Sequence, residues 1–300
     1  MATREDVRTQ GPVAALRQVV GSSRPLSWVN TAYPFGAAYL LGGGRPDLAF
    51  WVGVIYFLVP YNLLMYGVND VFDYESDLRN PRKGGVEGVV LSDRWHRLTL
   101  WSAALSNLPF LVALVALGSA RSTVVLAVVV FAVVAYSAPV LRFKERPVLD
   151  SVTSSTHFVG PAVVGCTMVG TGTTAVAVAA LAAFFAWGAA SQAFGAVQDI
   201  SADRAAGIAS VATWLGAAPT VRLAATAYAA AGVLLVLGLD GWARLAALLV
   251  LPYLANLVPF LSLSTEDCES ANAGWRRFLG LNFVTGFLLT QLLIWLSLAG

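Results

Sequence analysis

The sequence predicts an all-α, polytopic membrane protein with nine transmembrane helices around a central cavity open to the cytoplasmic side. Three observations carry this expectation. Of the 300 residues, 57% are hydrophobic and only 12% charged, with a mean hydropathy of +0.70, which lies outside the usual range for a soluble domain. The apolar residues gather in stretches near the roughly 20 residues that a helix needs to cross a bilayer core. The basic residues are distributed with the asymmetry that sets membrane orientation.

In chain order, residues 1–24 carry Arg4, Arg8, Arg17 and Arg24 without a continuous apolar core. They read as a cytoplasmic tail and not as a cleaved signal peptide. Spans are expected from Leu26 to Leu41, Leu48 to Val68, Leu98 to Leu117, Thr123 to Val140 and Leu149 to Val169. Four more run from Thr174 to Val197, Thr220 to Leu239, Trp242 to Leu263 and Phe278 to Leu298. The first is short and contains Pro34, which disturbs its ends and tilt. Gly118 to Ser122 and Gly170 to Thr173 are turns between antiparallel helices. No second domain, linker or repeat of low complexity interrupts residues 1–300, so the chain reads as one membrane domain.

With the amino terminus inside, only Arg45, Arg121 and Arg244 of the nineteen Lys and Arg fall outside. Multi-pass insertion in the cell membrane, in contact with its lipid, follows from this pattern. The formal charge of +2 gives no reason to expect nucleic acid as a partner, because topology accounts for the basic residues. Cys166 falls in a span and Cys268 in a polar loop, so neither a disulfide nor a cysteine metal site is expected.

Chemistry is expected where acids lie directly beneath a span. In Asn69-Asp70-Val-Phe-Asp73-Tyr-Glu-Ser-Asp77, the residues Asn69, Asp73 and Asp77 recur every fourth position and share one face of a continued helix, with Asp70 beside it. Close carboxylates repel unless a hard cation holds them, and partial coordination by carboxylates is how Mg²⁺ is usually shared with a substrate phosphate. A second stretch, Gln198-Asp199-Ile-Ser-Ala-Asp203-Arg204-Ala-Ala-Gly207, repeats the pattern 130 residues after Asp73. Asp199 and Asp203 again share a face. Two such faces meeting at the inner rim would hold Mg²⁺ around a diphosphate. Lys83, Arg142, Lys144 and Arg204, with the Tyr136 hydroxyl, form the pool of diphosphate partners, although juxtamembrane Lys and Arg also serve as orientation signals. If the other end of that diphosphate is allylic, its departure gives a resonance-stabilised cation, which the protein stabilises by position and charge. The aromatic groups of Tyr66, Phe72, Tyr136, Phe194 and Trp214 lie near the motif ends, either as cation shields or as interface anchors. His157 lies in the fifth span and receives no role.

These residues resemble the UbiA superfamily of intramembrane prenyltransferases. The resemblance rests on Asn-Asp-x-x-Asp-x-x-x-Asp (69–77), Tyr-Ser-x-Pro-x-Leu-Arg-x-Lys (136–144) and Asp-x-x-x-Asp-Arg-x-x-Gly (199–207), in the family's order. Within the superfamily, residues 65–88 and 193–208 look closest to the bacterial lycopene elongases of C50 carotenoid synthesis. The resemblance implies Mg²⁺-dependent transfer of an isoprenyl group to a lipophilic acceptor. It makes Asn69, Asp73, Asp199 and Asp203 metal-facing, with Asp70 and Asp77 supporting them, and places Tyr136 and Lys144 near the diphosphate. Asp73, Asp203, Tyr136 and Lys144 are thus the catalytic candidates. The donor it implies is dimethylallyl diphosphate and the acceptor lycopene or another lipophilic molecule. One departure stands out: many members carry an Asn or Asp about four residues before the position of Asp199, where this chain has Gly195 and Ala196, leaving Gln198 or water to complete the second metal face. Two alternatives stay open: a related enzyme using a quinone precursor or a glyceryl phosphate, and a transporter whose acidic helix ends bind a cation.

Overall fold

The structure, a computed structural model, describes residues 11–74 and 91–299. Its secondary structure among those residues is entirely helical. In chain order the helices are α1 (Pro12–Ser22), α2 (Val29–Leu41), the composite α3 (Leu48–Phe72), α4 (His96–Leu117), α5 (Ala120–Ser137), α6 (Leu149–Met168) and α7 (Ala175–Val197). There follow α8 (Ile200–Ala206), α9 (Val211–Leu215), α10 (Ala217–Gly238), the composite α11 (Gly241–Phe260) and α12 (Asn272–Ala299).

Among the described residues seven helices are long and apolar enough to cross a membrane: α3, α4, α5, α7, α10, α11 and α12. The other two expected spans form helices of a different character. α2 is only 13 residues long and contains Pro34. α6 has 20 residues, but from Asp150 to His157 only Val152 is apolar. The lipid-facing surface is plain on α4, where Trp101, Leu105, Leu108 and Val112 are all more than half exposed. They fall at helical spacing on one stripe, an arrangement that water would not tolerate but hydrocarbon favours.

The chain divides into two compact units, residues 1–142 with 160–171 and residues 143–159 with 172–300. The boundary passes through α6, whose first half belongs to the second unit. In the first unit the core is aromatic: Phe35 and Tyr39 of α2 pack with Phe57 and Phe50 of α3, and Tyr56 and Tyr61 meet edge to face. In the second, α7 packs along α10, with Ser191 and the Tyr228 hydroxyl 3.0 Å apart. Tyr228 stacks on Tyr253 of α11, whose hydroxyl donates to Asn282 Oδ1 of α12 at 2.9 Å. The alanines of α7 let these helices approach closely, as small residues do in membranes.

The backbone of α3 is not a regular helix. Val59 leaves helical geometry (φ −120°, ψ −62°) before Pro60, which supplies no N–H and restricts the residue ahead of it. The chain then resumes through a π-helical turn at Leu63–Gly67 before the short α-helical stretch Val68–Phe72. Side chains compensate the disrupted ladder. The fully buried Asn62 amide donates to Phe57 O at 2.9 Å, Leu58 O at 3.1 Å and Thr31 Oγ1 at 2.7 Å. Thr31 Oγ1 donates to Phe57 O at 2.6 Å, and Asn107 Nδ2 of α4 donates to Pro60 O at 2.7 Å. Asn62→Leu keeps the volume and removes these donors, and the expected loss is about 2–5 kcal/mol, the penalty for uncapped buried carbonyls. Thermal unfolding of the detergent-solubilised protein measures it, and an unchanged midpoint would exclude the repair.

Candidate diphosphate and metal site

The first acidic motif sits in the first unit, at the end of α3. The π-helical turn adds a residue to the turn just before Asn69, the kind of local widening that often marks functional positions. Asp73 ends the helix, its N–H donating to Asn69 O at 2.9 Å, so Asn69 and Asp73 do share one face. Asp77 and Lys83 lie outside the described residues, as do Arg79 and Arg82, and the α-helix carrying Asn69 stops at Phe72.

Each acid in the described motif has a basic partner. Asp70 is fully buried, and Arg24 Nη2 lies 3.2 Å from its Oδ1. The same guanidinium covers the Tyr66 ring at 4.3 Å, and Arg24 takes a left-handed conformation (φ 51°) to reach this place. Asp73 remains 12% exposed, with Arg142 Nη2 3.6 Å from Oδ1, while Arg142 Nη1 reaches Phe72 O at 3.5 Å. Asn69 Oδ1 accepts from Ser137 Oγ of α5 at 2.9 Å.

The loop after α5 carries the second motif. Tyr136 is half-buried near the end of α5, and Lys144 is half-buried in a 3₁₀ turn, Phe143–Glu145. The boundary between the units falls between Arg142 and Phe143, so Tyr136 and Arg142 belong to the first and Lys144 to the second. Val140, Arg142 and Val148 all have positive φ, at 76°, 39° and 73°. For a β-branched side chain this conformation is strained, and such strain collects at functional loops.

The third motif lies in the second unit. α7 ends at Val197, and Asp199 caps α8, whose Asp203 N–H donates to Asp199 O at 2.8 Å. Asp199 and Asp203 are half-buried on that one turn. Arg204 Nη2 donates to Thr213 O at 2.8 Å. Gln198 is occupied: its Oε1 accepts from Asn272 Nδ2 at 2.6 Å and its Nε2 donates to Gly195 O. Gly195 accounts for the thin second face. A Cβ there would lie 2.8 Å from the Trp275 ring of α12, so an Asn or Asp at this position requires that ring to move.

Among the described residues no three His, Cys, Asp or Glu side chains stand close enough to hold a metal by themselves. Within each motif the donor chemistry fits Mg²⁺. Asn69 with Asp73, and Asp199 with Asp203, offer hard oxygens from one helical turn, the partial set that leaves coordination positions for phosphate and water. Sequence reasoning missed Arg24, whose pairing with Asp70 spans 46 residues and carries no local signal.

Seven helices long and apolar enough to cross a membrane, with oxygen-bearing side chains gathered at two helix ends, suit an intramembrane enzyme. The chain belongs to the UbiA prenyltransferase family, whose model matches residues 31–284, and it is accordingly an enzyme that transfers a prenyl group, not a transporter. Over 279 residues it is 52% identical to a lycopene elongase/hydratase of Corynebacterium glutamicum, covering 93% of this chain and 97% of the relative. It is 53% identical over 294 residues to the C(50) beta-cyclic carotenoids biosynthesis protein LbtBC of Dietzia sp., covering 97% and 68%. A solved UbiA homolog from Archaeoglobus fulgidus, bound to DMAPP and Mg²⁺, shares the fold with a TM-score of 0.62 at 18% identity, over 89% of this chain and 98% of that one.

The pairing predicts that Asp70 acts through structure. Asp70→Ala leaves the partly buried Arg24 charge alone and is expected to cost about 3–5 kcal/mol. Arg24→Met in the same chain should restore part of that loss in thermal unfolding. Equal loss in the single and double variants would contradict the pairing.

Proposed function

We propose that this enzyme transfers the dimethylallyl group of dimethylallyl diphosphate to lycopene, in a Mg²⁺-dependent reaction at the cytoplasmic rim of the membrane. The observation that carries this reading is the 52% identity to a lycopene elongase/hydratase across nearly the whole of both chains. The site residues support it. Asn69, Asp73, Asp199 and Asp203 would hold the metal, which when bound neutralises the charge on a departing diphosphate. Arg142, Lys144 and Tyr136, with Lys83 and Arg204 as further partners, would donate to the diphosphate oxygens. Arg142, which meets Asp73 across 3.6 Å, can exchange that loose pairing for a phosphate oxygen without leaving the rim.

The protein's task is then to place the allylic carbon against the terminal alkene of the acceptor and to keep water from the diphosphate end until the carbon–oxygen bond breaks. An uncharged polyene needs no buried cation to bind it. The apolar helix faces suffice for its binding.

Membranes holding the enzyme, labelled dimethylallyl diphosphate, Mg²⁺ and either lycopene or 4-hydroxybenzoate decide the acceptor. Label is expected in a C45 or C50 carotenoid, and label in the prenylated aromatic instead would overturn the assignment. A chelator should abolish transfer and added Mg²⁺ restore it. Asp73→Ala and Asp203→Ala should each lower the rate by on the order of 100-fold or more, with the protein still folded in membranes, and full activity in either would remove that residue from the site.

A further inference from the structure

Asp150, in the first turn of α6, joins two parts of the second unit that carry candidate site residues, and none of the roles above uses it. It is 1% exposed, and its Oδ2 accepts from the Val211 N–H of α9 at 3.0 Å. Among the described residues its Oδ1 has no hydrogen-bond partner. A buried carboxyl group bonded through one oxygen alone is costly. A side chain kept here for stability alone would be apolar or fully bonded.

Backbone bonds carry Asp150 back to Lys144. The Asp150 N–H donates to Arg146 O at 3.0 Å, and the Arg146 N–H donates to Phe143 O at 3.2 Å, in the 3₁₀ turn Phe143–Glu145 that bears Lys144. Val148, between them, is held at φ 73°, a strained conformation for a β-branched residue that persists only where its surroundings fix it. On the other side, bonds carry Val211 to Asp203. Ser210 and Thr213 cap the start of α9 through each other's side chains. The Thr213 carbonyl accepts from Arg204 Nη2 of α8 at 2.8 Å, and the Ile208 N–H donates to Asp203 O at 2.8 Å. The bond from Val211 to Asp150 links these two series.

We infer that Asp150 is a positioning residue: its bond to Val211 sets where the Lys144 turn stands relative to the helix end bearing Asp199 and Asp203, so that one diphosphate meets the ammonium and the acid pair's metal together. The inference rests on the assignment, given under the proposed function, of Lys144, Asp199 and Asp203 to that diphosphate. The alternative, that Asp150 only caps α9, predicts a lower unfolding temperature with the affinity of the folded enzyme unchanged.

The experiment uses the full enzyme. Equilibrium binding of dimethylallyl S-thiolodiphosphate, an unreactive donor analogue, is measured with Mg²⁺, beside KM and kcat for labelled dimethylallyl diphosphate with lycopene, all per amount of folded protein. Asp150→Ala should raise Kd and KM together by about tenfold, the worth of one hydrogen bond to a charged group, with kcat changed less. Asp150→Asn, whose amide oxygen still accepts from Val211, should bring both back to within about threefold of the native values. Val211→Pro removes the donor and keeps the carboxyl group. Proline suits the first position of a helix, and Ser210 already has the extended backbone that precedes one (φ −145°, ψ 171°). It should match Asp150→Ala, and the double variant should be no weaker than either single one. Native Kd and KM in Asp150→Ala, or in Val211→Pro where Asp150→Ala does not fold, would overturn the inference and leave the diphosphate assignment standing. Native Kd in both Lys144→Ala and Asp203→Ala would instead sink that assignment, and the inference with it.

Discussion

The end of the first unit that carries Asn69 and Asp73 depends on how a broken helix is made tolerable inside a membrane. Pro60 and the non-helical Val59 interrupt α3 at a depth where no bulk water can satisfy exposed carbonyls, each of which would cost several kcal/mol. The Asn62 amide, the Thr31 hydroxyl and the Asn107 amide replace the missing backbone donors. With that repair in place, the π-helical turn and Val68–Phe72 can continue to the rim and bring Asn69 and Asp73 to one face. Hydrogen bonds contributed by three separate helices therefore set where Asn69 and Asp73 stand.

Charge is arranged around the same end with a division of labour. Asp70, fully buried, has the Arg24 guanidinium beside it, and the Tyr66 ring lies against that cation. Asp73, partly exposed, has a longer contact to Arg142 on a strained loop. A close buried pair suits anchoring, whereas a loose one near solvent suits exchange with an incoming anion. The second unit has no counterpart of the Asn69 amide, because the Trp275 ring fills the space that a side chain on residue 195 would need.

Periodicity made part of this legible in the sequence. The recurrence of Asn69 and Asp73, and of Asp199 and Asp203, is local, so a single helical turn realises it. The seven most apolar helices were equally readable. What escaped was either non-local or cooperative. Nothing near Asp70 points to Arg24, and nothing in Leu-Leu-Met-Tyr-Gly announces a π-helical turn, since those side chains suit an ordinary helix equally well. The expected continuation of the Asn69 face through Asp77 falls outside the described residues. Whether Gln198 serves as a ligand stayed open in the sequence, because Asn272, its hydrogen-bond partner, lies 74 residues away.

The π-helical turn at Leu63–Gly67 has a consequence for how such enzymes diverge. Each residue of an α-helix advances the chain by about 100°, and a π-helical turn accommodates one additional residue. A single-codon deletion within 63–67 would let the segment relax to regular pitch and swing everything after it by about that angle, carrying the Asn69 carboxamide away from its present neighbour Ser137. Length at this point in the gene is therefore under tighter constraint than identity, and insertions or deletions here should be far rarer among functional descendants than exchanges of one apolar residue for another.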